Sequence, residues 1–384
     1  MPVQRFFLST EFSFGPGARK ELTRLVQAED RVIIITDAGL VKAGVVAMVE
    51  EVLQGRVAGL EVFSQVSVNP HAADVEAACR AARTCGATAV VAVGGGSPMD
   101  VAKMVSVLLT NPGTLADYQW ERKPFTRPGL KLIVLPTTAG TGSEGTATAV
   151  IIDRDTKQGI VGDELLPRAA LLDPELMASL PPAITATTGM DALTHAVEAL
   201  VARGANPFTN ALAAEAVRLI AKYLRRAFAC GDDLEAREGM ALASTLAGVA
   251  MDQAGLGVVH AMAGPLSSYY NVPHGLANAV VLPLGMRYNL VAVPEKYAFI
   301  AGLLGVPVQN LTSRAAALEA VRAVQELQAD LQIRPTLKDD LRDPADIEKF
   351  AREAVAMFIC RANPRVVSAA DCQRLFAEVF VYKE

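Results

Sequence analysis

Four histidines occur in 384 residues, and three of them stand between positions 195 and 274. His195 follows Asp191 by four residues in GMDALTHAVEAL. That segment has helical spacing, so the two side chains project from one face about one turn apart. His260 sits in the Ala- and Met-rich run VHAMAG, which also reads as helix, and His274 lies in a Pro-His-Gly turn. One carboxylate and three imidazoles make a competent ligand set for Fe(II) or Zn(II), with room for a substrate oxygen. Each residue alone has an ordinary explanation, a helix-stabilising pair or a satisfied core histidine. Their concentration in a chain otherwise nearly free of histidine favours ligation. Glu198 shares the face of Asp191 and His195 and reads as a residue that orients a ligand or is structural, not as a ligand itself. His71, in SVNPHAADV, reads as a surface residue at a helix start.

A second constellation lies in the first half. VVAVGGGSPMDVAK places three glycines between a strand and a helix, where close backbone approach and free N–H groups suit a pyrophosphate. Asp37 ends the run RVIIITD, where an acid can accept from both ribose hydroxyls and repel a 2′-phosphate, favouring NAD over NADP. Its structural alternative is to cap the helix that follows. The loop PTTAGTGSEGT (136–146) is suited to hydrogen-bonding phosphate or a nicotinamide amide. The acid precedes the glycine loop, the reverse of the usual Rossmann order, so the expectation is a variant dinucleotide fold.

The elements that must position these residues change character along the chain. Runs 31–37, 87–96 and 130–138 are short, apolar and closed by turn residues, and read as buried strands. Segments 38–54, 72–85 and 97–110 have helical spacing. Such alternation predicts an α/β domain with a mainly parallel sheet. After DPELMASLPP (173–182) the pattern is helix after helix, clearest at 207–228. The expected organisation is an NAD-binding α/β domain over 1–180 and an all-helical metal-binding domain over 181–384, with a cleft between them. A net charge of −5 argues against a nucleic-acid or anionic-membrane surface, and no apolar run is long enough to span a bilayer. The opening MPVQRFFLSTEF lacks the apolar stretch of a secretory signal, and the five cysteines show no Cys-x-x-Cys spacing. Both point to a reducing, cytoplasmic setting.

With these pieces assembled, GGGSPMDVAK, LPTTAGTGSE, DPELMASLPP, GMDALTHAVEAL, ANPFTNALAAEA and GVVHAMAGPLSSYYNVPHGLANAVVLP resemble the iron-containing (group III) alcohol dehydrogenase family. The resemblance runs over nearly the whole chain, through NPR at 363–365. It implies NAD(H) in the first domain and a divalent metal, usually iron and sometimes zinc. The positions matching the family's metal ligands are Asp191, His195, His260 and His274. Those matching its cofactor contacts include Asp37, Gly95, Gly96, Ser97, Asp100, Thr137, Thr138 and Lys157. The resemblance also implies a homodimer joined through the N-terminal domain.

The sequence departs from the family at one telling place. Many members carry a further histidine four residues after the first ligand of this stretch, a residue thought to relay the proton; here it is Gly264. Hydride chemistry survives that change, but a ready acid or base is lost, and a small residue there is expected to enlarge the pocket or admit water. Gly145 and Thr148 also replace residues common in the family. The reading is reversible hydride transfer between NAD(H) and a small alcohol or its aldehyde or ketone. Its rivals are a dehydroquinate-synthase-like metal- and NAD-dependent lyase or cyclase acting on a phosphorylated polyol, and a metal hydrolase.

Overall fold

The computed structural model describes residues 3–154 and 156–380. The N-terminal half builds β1 (Glu11–Phe14), α1 (Leu22–Leu25), β2 (Arg31–Ile35), α2 (Ala38–Lys42), α3 (Val45–Leu53), β3 (Gly59–Phe63) and α4 (Ala72–Cys85). It continues through β4 (Ala89–Gly94), α5 (Gly96–Leu108), α6 (Leu115–Gln119), β5 (Lys131–Pro136), β6 (Thr148–Asp153), β7 (Thr156–Val161) and β8 (Ala169–Leu172). Six strands form one parallel sheet in the order β1-β8-β5-β4-β2-β3, while β6 and β7 make a separate antiparallel hairpin. Every residue of β4 is buried, as a strand covered on both faces requires. Val32, Ile34, Val91, Val93, Ile133 and Leu135 alternate onto one face and pack against Val46, Val49 and Leu53 of α3.

The strand order fixes where ligand loops fall. The connection after β2 runs outward to β3, whereas the connection after β4 runs the other way to β5. Neighbouring β2 and β4 therefore flank a topological switch point, the usual ligand crevice of an open parallel sheet. Asp37 follows β2, the glycine loop follows β4 and Thr137 follows β5, so all three expected cofactor segments leave one end of three adjacent strands. One local expectation is corrected. The helix read over 38–54 is two helices, because Gly44 adopts a left-handed φ of 76° between α2 and α3.

The second half is helical: α7 (Pro182–Val201), α8 (Pro207–Ala229), α9 (Leu234–Ala254), α10 (Val258–Tyr270), α11 (His274–Asn289), α12 (Pro294–Leu303), α13 (Ser313–Asp330), α14 (Asp346–Ala356) and α15 (Ala369–Phe380). Pro182 and Pro207 occupy helix starts, where a missing N–H costs nothing. Asn206 caps α8 by accepting from Phe208 and Thr209. Met251 and His260 do not share a continuous helix. Gly255 turns left-handed at φ 86°, and α10 leaves α9 at 105°. By contacts, Phe7–Leu180 groups with Gly231–Thr245, and the chain from Pro181 otherwise forms the helical unit together with residues 3–6. No single helix among the described residues is long and apolar enough to cross a membrane.

Candidate functional site

Helix α7 presents Asp191, His195 and Glu198 on one face, at spacings of four and three residues, and all three are buried. Helix α10 contributes His260, also buried, and α11 opens with His274, whose side chain is about one third exposed. Asp191, His195 and His260 can each offer one ligand atom, and these atoms lie within 4.8 Å of one another. The His195 and His260 rings stack with centroids 4.6 Å apart, and the His274 ring tilts toward His260 at 5.6 Å. His274 Nε2 stands 4.0 Å from Asp191 Oδ1. The four expected ligands thus converge, His274 from the more open side.

The surroundings fix the orientation of these groups. Glu198 Oε2 lies 2.6 Å from His260 Nδ1, and its other oxygen accepts from Val259 N at 2.9 Å. His260 therefore points Nε2 inward, 3.7 Å from Asp191 Oδ1; that nitrogen is buried and has no hydrogen-bond partner. Burial alone would lower the His260 pKa, but the Asp191 and Glu198 carboxylates outweigh it and hold the value well above the ordinary imidazole range. Burial likewise opposes ionisation of Asp191, and the charges of His195, His274 and His260 overcome it, holding its carboxyl below the usual range. An orphaned imidazole nitrogen beside an ionised carboxylate and two further imidazoles fits a divalent cation. Asn278, one turn after His274 on α11, donates its amide to Asp191 Oδ1 at 2.6 Å and lies 3.2 Å from His274 Nε2. Sequence reading missed it; its place four residues after a candidate ligand was the available signal.

In the α/β unit the expected cofactor residues divide into two groups. Asp37 caps α2, accepting from Leu40 N at 3.0 Å through Oδ1. The structural role foreseen for it is present. It leaves Oδ2 available, so the ribose role is compatible with it. Gly95 and Gly96 pack against the threonine loop: a Cβ on Gly96 would stand 2.9 Å from Thr141 Cγ2, and one on Gly95 3.0 Å from Thr138 Oγ1. Thr137 is buried and donates its N–H to Gly94 O. Ser97 donates its hydroxyl to Val68 O. Asp100 turns into the protein, accepting from Ser143 Oγ at 2.8 Å and Val150 N at 3.0 Å, so it holds the threonine loop and β6 in place. Lys157, on β7, lies near enough to Asp100 to favour its charged form, although burial dominates and raises the Asp100 pKa.

Sequence reading passed over Lys103, the last residue of GGGSPMDVAK. It is fully buried, and its ammonium donates to Thr146 O, Thr146 Oγ1 and Thr148 O at 2.7–2.9 Å. Glu144 is buried in the same region, accepts from Thr245 Oγ1 at 2.6 Å, and has its pKa raised by burial. These groups stiffen the loop beside the glycines.

Two family models cover the chain, one for the iron-containing alcohol dehydrogenase over residues 9–174 and one for the C-terminal domain of that family over 185–380. The chain is 41% identical over 375 residues to a 1,3-propanediol dehydrogenase of Klebsiella pneumoniae, covering 96% of each protein. It is 38% identical over 380 residues to an NAD-dependent methanol dehydrogenase of Bacillus methanolicus, covering 97% of this chain and 99% of that one. A solved 1,3-propanediol oxidoreductase superposes with a TM-score of 0.95 at 38% identity, over 99% of this chain and all of that one. These matches favour hydride transfer over the lyase reading. With both halves of the chain matched, and with a parallel-sheet unit and a helical unit as the resemblance implied, the protein belongs to the iron-containing alcohol dehydrogenase family and is an oxidoreductase of alcohols and aldehydes.

Proposed function

We propose that Asp191, His195, His260 and His274 hold the catalytic metal, and that Asp37, Gly95, Gly96, Ser97, Thr137, Thr138 and Lys157 line the cofactor site. Asp100 supports that site by fixing Ser143 and β6 from within. The enzyme uses NAD(H) and iron, and the ligand set also accepts zinc. When bound, the metal supplies Lewis acidity toward an alcohol or carbonyl oxygen, and NAD(H) supplies or takes the hydride. The protein's part is to fix geometry. Glu198 holds the His260 ring so that Nε2 faces the ligand cluster, and Asn278 steadies the Asp191 carboxylate. Gly264 brings no acid or base, so proton exchange would fall to water or to a hydroxyl of the bound cofactor. The relatives named for methanol and 1,3-propanediol support a small, uncharged alcohol as substrate. The family resemblance supports a homodimer, and the free cysteines suit a reducing cytoplasm.

The observation that carries this reading is the convergence of Asp191, His195 and His260 around a buried, unpartnered imidazole nitrogen. NADH oxidation with a panel of short aldehydes tests it, comparing anaerobically Fe(II)-loaded protein with the same protein after chelation. Turnover only in the loaded sample is expected. Equal turnover in both samples would remove the metal from the mechanism, and aldehyde-independent chemistry without net NADH loss would restore the lyase.

A further inference from the structure

The first turn of α10 is fastened by side chains distant in sequence. Val258 N donates to Asn363 Oδ1 at 3.1 Å, Val259 N to Glu198 Oε1 at 2.9 Å, and His260 N to Glu198 Oε2 at 3.4 Å. Three of the N–H groups that a helix start leaves without backbone partners are thereby satisfied, and a carboxylate lies at the positive end of the helix dipole. Both acceptors reach this turn because residue 257 is glycine. A Cβ there would stand 2.6 Å from Asn363 Oδ1 and 2.8 Å from Glu198 Oε1. Asn363 is itself held rigidly. It exchanges amide hydrogen bonds with Asn289 at 2.8 and 2.9 Å and donates to Arg365 O at 2.7 Å, and both asparagines are 1% exposed.

We propose that Asn363, together with Glu198, is a positioning residue of the metal centre: sharing the notch left by Gly257, the two lock the first turn of α10 and set His260 with Nε2 turned toward Asp191. The inference rests on reading Asp191, His195, His260 and His274 as metal ligands. Glu198 acts on the imidazole directly at Nδ1. Asn363 acts one step further out, through the backbone that carries the ring. An imidazole held at its second nitrogen and at its own peptide N–H has little rotational freedom left to lose when a metal binds, so these contacts raise metal affinity by pre-organisation. Both residues belong to the helical unit and the cofactor candidates to the α/β unit, so NADH affinity serves as the control.

The test is Co(II) titration of the metal-stripped full-length enzyme, followed by its visible ligand-field bands, with NADH affinity and Tm measured in parallel. Asn363→Ala removes the acceptor for Val258 N. Gly257→Ala disturbs both acceptors without deleting any hydrogen-bonding group, and it guards against a poorly folding Asn363 variant. Each variant is expected to bind Co(II) about 10- to 100-fold more weakly than wild type with altered bands, at unchanged NADH affinity. Wild-type Co(II) affinity and bands in both variants, with or without a lower Tm, would overturn the inference and reduce Asn363 to a helix cap. Failure of the wild-type enzyme itself to bind Co(II) would overturn the metal reading, and the inference with it.

Discussion

Met357 lies over Gly264: a Cβ on that glycine would stand 3.0 Å from its Sδ and 3.2 Å from its Cε. The space beside the glycine is therefore not simply open to water, as a small residue there had suggested. A thioether covers it, one turn of α10 beyond His260. Met is flexible at its far end, so the neighbour can yield at moderate cost. Gly264→His is expected to need that yielding. Alone it should fold with a lower Tm, and combined with Met357→Ala it should recover stability. In the double variant the imidazole gives position 264 a titratable group, so the pH–rate profile should gain a limb near the ordinary histidine range. An unchanged profile in a well-folded double variant would remove the idea that position 264 governs proton exchange.

His195 is buried on α7 and stacks on His260. His195→Ala should abolish Fe(II)-dependent turnover and weaken metal binding by well over about 100-fold, more than loss of a residue that only holds a ligand in place. NADH binding should persist, because His195 belongs to the helical unit and the cofactor candidates to the α/β unit. Paired metal and NADH titrations check it, and joint loss of both would indicate misfolding instead of a missing ligand.

Lys103 carries a charge that is fully buried and balanced only from within the protein. Three oxygens accept from it, and its charge favours the ionised forms of Asp100 and Glu144. Lys103→Met takes from Glu144 the cation beside it and leaves Asp100 to Lys157, and a loss of about 3–5 kcal/mol in urea unfolding is expected. A loss below about 1 kcal/mol would show that Asp100 and Glu144 are neutral in the native protein.

Strands β2, β4 and β5 and the gathering of Asp191, His195 and His260 were legible in the sequence for a physical reason. Buried parallel strands are uninterrupted apolar runs closed by turn residues, and histidine is scarce enough here for its placement to carry information. Asn363 and Asn278 were not legible as supports. They are neutral amides whose partners lie 74 to 105 residues away, or across a helix turn, with no periodic signature. The break of α2 from α3 rests on the single left-handed Gly44, and that of α9 from α10 on the short stretch 255–257 with left-handed Gly255 and extended Gly257. The placement of Gly231–Thr245 with the α/β unit includes a bond such as Thr245 to Glu144, which no local pattern announces.

Asp30 ties the starts of three strands together. It accepts from Lys131 Nζ at 2.8 Å, Gln27 N at 2.7 Å and Thr88 Oγ1 at 3.0 Å. Burial would raise its pKa, but Lys131 and the two hydrogen bonds prevail and hold it below the ordinary carboxylate range. A depressed native pKa contributes stability that is present above the unfolded value near about 3.9 and lost as pH falls through the native value below it. Asp30→Asn should therefore cost about 1–2 kcal/mol at pH 7, and the gap to wild type should close as the pH falls below about 4. Urea midpoints at several pH values check it; a gap that stays constant with pH would assign the loss to packing.

Asp37 separates a structural role from a recognition role within one carboxylate. Its Oδ1 caps α2, and loss of such a cap costs about 1 kcal/mol whatever the ligand. If Oδ2 also receives the ribose hydroxyls, the same residue repels a 2′-phosphate. Asp37→Ser distinguishes the two, because serine retains a cap oxygen while losing the charge. Near-native Tm is expected, with a weaker NADH complex and a ratio of NADPH to NADH efficiency raised by about 10-fold or more, as removal of one close like charge allows. A serine variant with native Tm and native cofactor preference would confine Asp37 to its cap and pass the choice between the two nucleotides to other residues of the crevice between β2 and β4.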